Sequence, residues 1–230
     1  MSDFSKKISS MNHLKDIIIS LRPYQWSKNI LLFAGVFFSL SLFELPLLLN
    51  ATYGFISFIL VSSSVYLFND LVDIEKDKLH PIKRNRPIPS GRVSRSEAVI
   101  LSIFLFLGSL LIGIYLINDL FAYIIISYLL INIGYTCCLK NIVILDVFIV
   151  SIGFLLRTAA GIIAVDVAFS PWIIIATFLL ALLLVIGKRR GELVNLKEGA
   201  VQHRQALKNY NLIFIDNLLT IITAAAIVTY

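Results

Sequence analysis

Residues 66–92 read YLFNDLVDIEKDKLHPIKRNRPIPSGR. Tyr66, Asn69, Asp70, Asp73 and Asp77 follow helical spacing, and at 100° per residue they fall within an arc of about 100°. One helix face therefore presents three carboxylates, an amide and a phenol. Like charges this close raise each other's pKa unless a cation sits among them. Hard oxygen donors suit Mg²⁺, which is usually held by one or two carboxylates together with a substrate's phosphates. A dense cationic stretch follows at once: Lys83, Arg84, Arg86 and Arg92. The chemistry suggested is a Mg²⁺-diphosphate site. A solvated helix end is the plainer reading of the same charges. Against it stand the shared face, the cations beside it, and the position of Asn69 and Asp70 directly after an apolar run, where polar groups are costly.

The loop that follows holds Pro81, Pro87, Pro89 and Gly91, so it cannot continue the helix. It is long enough to fold over a site as a lid. It ends in Ser94-Arg95-Ser96-Glu97, a capping-box pattern that starts another helix. Farther on, Asp146, Gly153, Arg157 and Gly161 share one stripe of an apolar run. Arg157 lies mid-run and should face a cavity or a partner. Asp146 is about 16 Å away along the axis, too far to pair with it, which leaves Arg157 for an anionic ligand or for a carboxylate from elsewhere in the chain. Gly187-Lys188-Arg189-Arg190-Gly191-Glu192 puts Lys188 and Arg189 within helical reach of Glu192. Lys140 stands alone in its loop, and Lys28 closes Arg22-Pro23-Tyr24-Gln25-Trp26-Ser27-Lys28-Asn29.

The elements that position these residues are apolar. The chain has 230 residues, 58% hydrophobic and 15% charged, whereas soluble domains carry nearer a quarter charged. Seven unbroken apolar runs stand out: Ile30–Leu49, Tyr53–Phe68, Ala98–Ile117, Leu120–Cys138, Ile142–Val167, Trp172–Ile186 and Leu212–Tyr230. Long unbroken runs mean spanning helices rather than strands. The expected fold is all-α, a single polytopic membrane domain over residues 1–230. Its polar parts are an N-terminal segment (1–29), an acidic and basic loop (69–97) and a second basic loop (187–211).

A net charge of +6 could suggest nucleic acid, but the distribution argues for a bilayer. All 20 Lys and Arg fall in the N-terminal segment, in alternate loops, or within run five. The loops around Glu44–Asn50, Asn118–Asp119 and Asp166–Ser170 have none. By the positive-inside rule the N-terminus and the basic loops are cytoplasmic, and every candidate site residue converges on that face. Cys137 and Cys138 read as fillers within the membrane rather than a disulfide. His13, His80 and His203 are too scattered for zinc.

Asn69-Asp70-x-x-Asp73-x-x-x-Asp77 resembles the first acidic motif of the UbiA superfamily of intramembrane prenyltransferases. Four segments narrow the resemblance to the decaprenyl-phosphate phosphoribosyltransferases: RPYQWSKN (22–29), VYLFNDLVDIEKDKLHPIKRNRP (65–87), LDVFIVSIGFLLR (145–157) and GKRRGEL (187–193). The resemblance implies a ring of about nine helices around a cavity open to cytoplasm and lipid. It implies transfer of 5-phosphoribose from 5-phosphoribosyl diphosphate (PRPP) to a polyprenyl phosphate, with release of pyrophosphate. It implies Mg²⁺ on Asn69 and Asp73 with Asp77 contributing, and phosphate contacts from Lys28, Tyr66, Lys83, Arg86, Lys140, Arg157 and Lys188, with Arg189 and Glu192 beside them. Seven runs against nine leave two helices outside this chain, as in a fragment. Two other readings stay open: an aromatic prenyltransferase, which would resemble its relatives in a second acidic motif where this chain has only Glu192 among cations, and an inactive or transporting membrane protein.

Overall fold

The computed structural model describes residues 2–195 and 211–229, with side chains from residue 11. The described residues form helices and turns with no strand. The helices are α1 (Ser2–Ser20), α2 (Ala34–Phe38), α3 (Leu45–Val72), α4 (Ile74–Leu79), α5 (Arg95–Ile112), α6 (Asp119–Cys137), α7 (Leu145–Ala164), α8 (Pro171–Asn195) and α9 (Leu212–Thr229). Six of them, α3 and α5–α9, are long and apolar enough to cross a membrane. The protein is an all-α, multi-pass integral membrane protein.

Run one is not among the six. Its residues divide between a 3₁₀ helix over Pro23–Phe33, α2, a turn, and the start of α3. The expected break at Asn50 is instead a turn before Leu45, because Pro46 starts α3, as proline does in a first helical turn. One amide near the helix start does not interrupt it.

Contacts at both ends lay the 3₁₀ segment along α3. Arg22 pairs with Asp70 near one end of α3, and Val36 packs with Ala51 near the other. Along α3 those points lie about 28 Å apart at 1.5 Å per residue. Arg22 reaches Asp70 with an extended side chain, since the Leu21 carbonyl beside it accepts from Ser63, seven residues nearer the middle of α3. The segment Pro23–Asn29, expected as part of a polar N-terminal arm, is thus part of the wall. Trp26 Nε1 donates to Ser63 Oγ (3.1 Å) and Asn29 Nδ2 to Ser62 Oγ (3.4 Å), both on α3.

The packing is close where small residues allow it. A Cβ on Gly161 of α7 would stand 2.2 Å from the Leu32 carbonyl oxygen, so the wall segment and α7 touch backbone to backbone. Leu32, Phe58, Val61, Phe121, Ile125, Tyr128 and Ala160 fill the core between the 3₁₀ helix, α3, α6 and α7. Hydroxyls bridge α3 and α5 at Ser57–Ser109 (2.9 Å) and Ser64–Ser102 (3.0 Å). A second cluster, Val147, Leu182, Val185, Ile186 and Ile215, joins α7, α8 and α9.

Candidate active site

The acidic face sits where α3 ends. α3 stops at Val72, Asp73 forms the junction, and α4 resumes at Ile74. The phase carries through, since Asp73 N donates to Asn69 O (3.0 Å) and Asp77 N to Asp73 O (2.8 Å). Asn69, Asp70, Asp73 and Asp77 therefore stay on one side despite the joint. At 28 residues, α3 is about 42 Å long, more than the roughly 30 Å hydrocarbon thickness requires. Its surplus length carries these groups toward the membrane edge.

Each carboxylate already has a cation. Asp70 is buried and held by Arg22 and by Arg86 Nη1 (3.0 Å). The same Arg86 nitrogen reaches Asp77 Oδ2 at 2.9 Å, and Lys83 Nζ stands 3.6 Å from Asp77 Oδ1. Lys140 Nζ donates to both oxygens of Asp73, at 2.6 and 2.7 Å. Arg22 also lies 4.9 Å over the Tyr66 ring. Arg22 itself adopts a left-handed conformation (φ 55°) that turns the chain from α1 into the 3₁₀ helix. Glu75, on the outer side of α4, takes no part: Lys78 and Arg95 bind it, and the Lys78 hydrogen bond holds its carboxyl below the usual range.

The proline-rich loop folds down over this face. Ile88 and Val93 are buried against Leu67, Ile74, Ala98 and Leu105. That anchoring delivers Arg86 to Asp70 and Asp77. Arg92 Nε meets Asp16 of α1 at 2.9 Å. The capping box at Ser94 and Glu97 forms as expected.

A second set of cations has less compensation. Arg157 is 4% exposed. Its Nε donates to Asn29 Oδ1, Nη1 to Gly153 O and Nη2 to Tyr128 Oη, each at 2.7 Å. Among the described residues no carboxylate forms an ion pair with it. These three bonds use three of a guanidinium's five N–H donors. Lys28 Nζ lies 5.9 Å from the Phe154 ring centroid, and the charges of Arg157, Lys188 and Arg22 all bear on it. Lys28 and Arg157 thus share one ring, Arg157 Cζ lying 5.8 Å from the same Phe154 centroid.

Arg189 and Glu192 are arranged differently. Arg189 is buried, with Nε 3.0 Å from Asp146 Oδ2 and Nη1 2.6 Å from Glu192 Oε2. The three residues tie α7 to α8, and Arg190 ties α8 to α9 through Asp216 (2.6 Å). α8 continues to Asn195, so the first part of the expected 187–211 loop is helix. Residues 196–210, including His203, lie outside the described residues.

Spacing along one helix brought out the acidic face. It gave no signal for the cross-chain partners Asn29, Tyr128 and Arg22, nor for Asp146 meeting Arg189. The donors of Asn69, Asp73 and Asp77 fit Mg²⁺ in kind. Among the described residues, no three acidic, His or Cys side chains close on a common point, because Lys140, Arg86 and Lys83 hold the oxygens.

Residues 29–187 match the UbiA prenyltransferase family. A decaprenyl-phosphate phosphoribosyltransferase of Mycolicibacterium smegmatis is 33% identical over 95% of this chain and 70% of its own length. The protein of that name from Corynebacterium glutamicum is 29% identical over 100% of this chain and 70% of its own. A UbiA homologue from Archaeoglobus fulgidus, solved bound to GPP and Mg²⁺, superposes with a TM-score of 0.76 at 20% identity, covering 93% of this chain and 76% of that one. On the match to residues 29–187, this chain belongs to the UbiA prenyltransferase family.

Proposed function

We propose that the protein transfers 5-phosphoribose from PRPP to a polyprenyl phosphate of decaprenyl type, releasing pyrophosphate, at a site on the cytoplasmic side of the membrane. The observation that carries this reading is the excess of cations. Beside the paired carboxylates stand Lys28, Arg157 and Lys188, which form no ion pair among the described residues. One diphosphate does not need so many. The proposed reaction brings a diphosphate, a ribose phosphate and a lipid phosphate into one pocket. The identity with named phosphoribosyltransferases supports the same reading.

Asn69, Asp73 and Asp77 would hold Mg²⁺, which when bound supplies Lewis-acid neutralisation of the diphosphate leaving group. Lys140, Arg86 and Lys83 would exchange their carboxylates for phosphate oxygens. Lys28, Arg157 and Lys188 would set the two anionic substrates side by side against their mutual repulsion. Tyr66 and Asp70 fix Arg22 and Arg86 in place. Arg189, Glu192 and Asp146 brace the helices that carry Lys188 and Arg157. No strong general base is required, because a phosphate monoester with a second pKa near 6 is already largely ionised at pH 7.

The test is direct. Membranes containing the protein are incubated with labelled PRPP, Mg²⁺ and polyprenyl phosphate, and label is expected in the lipid fraction. A parallel arm offers a prenyl diphosphate and a hydroxybenzoate. Product from that arm alone would overturn the proposal in favour of aromatic prenylation. Product from neither, beside an active relative, would assign the chain no transferase activity of these kinds.

A further inference from the structure

Helix α1 faces the wrong way for water. Its inward side is polar: Asp16 meets Arg92, His13 Nε2 lies 3.0 Å from Glu97 Oε1, and Ser20 is buried. Its outward side carries Met11 (64% exposed), Leu14 (59%), Ile18 (46%) and Ile19 (45%). At 100° per residue these four span an arc of about 140°, with Lys15 among them. Rotation cannot hide them. Ile17 and Leu21 are packed against the cluster of Leu67, Ile74 and Val93, and Ser63 Oγ donates to Leu21 O at 3.2 Å.

Register gives the depth of this face. His13 sits beside Glu97, at the start of spanning helix α5. α5 runs antiparallel to α3, with Ser102 opposite Ser64, so Glu97 stands level with residue 69 of α3. Leu21 stands level with Ser63, about 9 Å farther toward the membrane centre. The last two turns of α1 therefore descend along the spanning helices. At the corresponding depth on α5, Ile100 (68%) and Ile103 (54%) are likewise exposed, and in a membrane protein such a surface meets lipid.

We infer that α1 is an oblique lipid-embedded helix, with Met11, Leu14, Ile18 and Ile19 inserted in the leaflet nearest the acidic face, Lys15 reaching its headgroups, and the Asp16–Arg92 and His13–Glu97 contacts fastening the proline-rich loop to this anchor. The surface takes phospholipid, not a second copy of the chain.

Single cysteines at Met11, Leu14 and Ile18 test this in a chain carrying Cys137→Ser and Cys138→Ser. Each is spin-labelled and reconstituted in bilayer nanodiscs of phosphatidylcholine and phosphatidylglycerol. Phe104→Cys on the exposed face of α5 marks lipid, and Arg84→Cys marks water. The ratio of oxygen to nickel-chelate collisions should rise severalfold above Arg84 and increase from Met11 to Leu14 to Ile18. Ratios equal to that of Arg84 would overturn the inference. So would spin–spin broadening or loss of access to both relaxants, which would mean protein contact. No substrate enters the measurement, so its failure would leave the transferase proposal untouched.

Discussion

The carboxylates on α3 and α4 differ in what they can release. Asp70 is buried between two arginines, whereas Asp73 has one lysine at the joint between helices. If Asp73 is a metal ligand, Asp73→Asn keeps its size and removes its charge. Turnover should then fall about 100-fold or more, some 3 kcal/mol of barrier, with partial recovery in excess Mg²⁺. Asp119→Asn, at the opposite end of the bundle, should change little. Unchanged turnover in Asp73→Asn would remove Asp73 from the site. Arg157 makes a separate case. Arg157→Lys keeps the charge but cannot serve Asn29, Gly153 and Tyr128 at once. Bonds from charged donors contribute about 1.5–3 kcal/mol each, so thermal unfolding in detergent should shift clearly downward. A melting temperature equal to the parent's would contradict the buried three-way contact. At this scale the acidic face was legible, because its residues keep one helical period across the joint at Asp73. The partners of Arg157 were not, because Asn29 and Tyr128 meet it only through tertiary packing.

Among the elements, the 3₁₀ wall and α7 depend on each other most closely. Gly161→Ala would place a methyl against the Leu32 carbonyl, and backbone on both sides cannot yield as a side chain can. Overpacking usually costs about 1–3 kcal/mol, and this contact falls at the upper end or beyond. Low yield of folded protein is the expected outcome, while Gly187→Ala, with open space around it, should express normally. Equal expression of the two would refute the close contact. The capping box at Ser94 was legible because it is local. The 3₁₀ form was not, since an apolar stretch has the same composition at either rise.

For the molecule as a whole, charge placement makes a claim about sidedness. Arg84 and Lys140 share one end of the bundle with the acidic face, and Asp119 marks the other. In a background lacking Cys137 and Cys138, a membrane-impermeant maleimide added to intact cells should label Asp119→Cys at once. Arg84→Cys should react only after the membrane is opened. The opposite pattern would invert the topology. The all-helical, multi-pass character was legible from composition, because lipid imposes it, whereas the count was not: seven apolar runs were expected and six helices are long and apolar enough to span, run one being divided among short elements. The descent of α1 was not, since its apolar stretch is short and its polar residues turn inward.

The ion pairs of the acidic face have a consequence for what the proposed site would ignore. Lys140 on Asp73, and Arg86 across Asp70 and Asp77, make this face its own salt. A lone divalent ion must displace an ammonium or guanidinium that then has no counter-charge. A lone phosphate must draw away a cation and strand a carboxylate. Either visitor alone leaves one half of a broken pair unsatisfied. A metal and a diphosphate arriving together satisfy both halves in a single exchange. On the proposed function the site would therefore select by charge as well as by shape, favouring a metal and a diphosphate that arrive together over either ion alone.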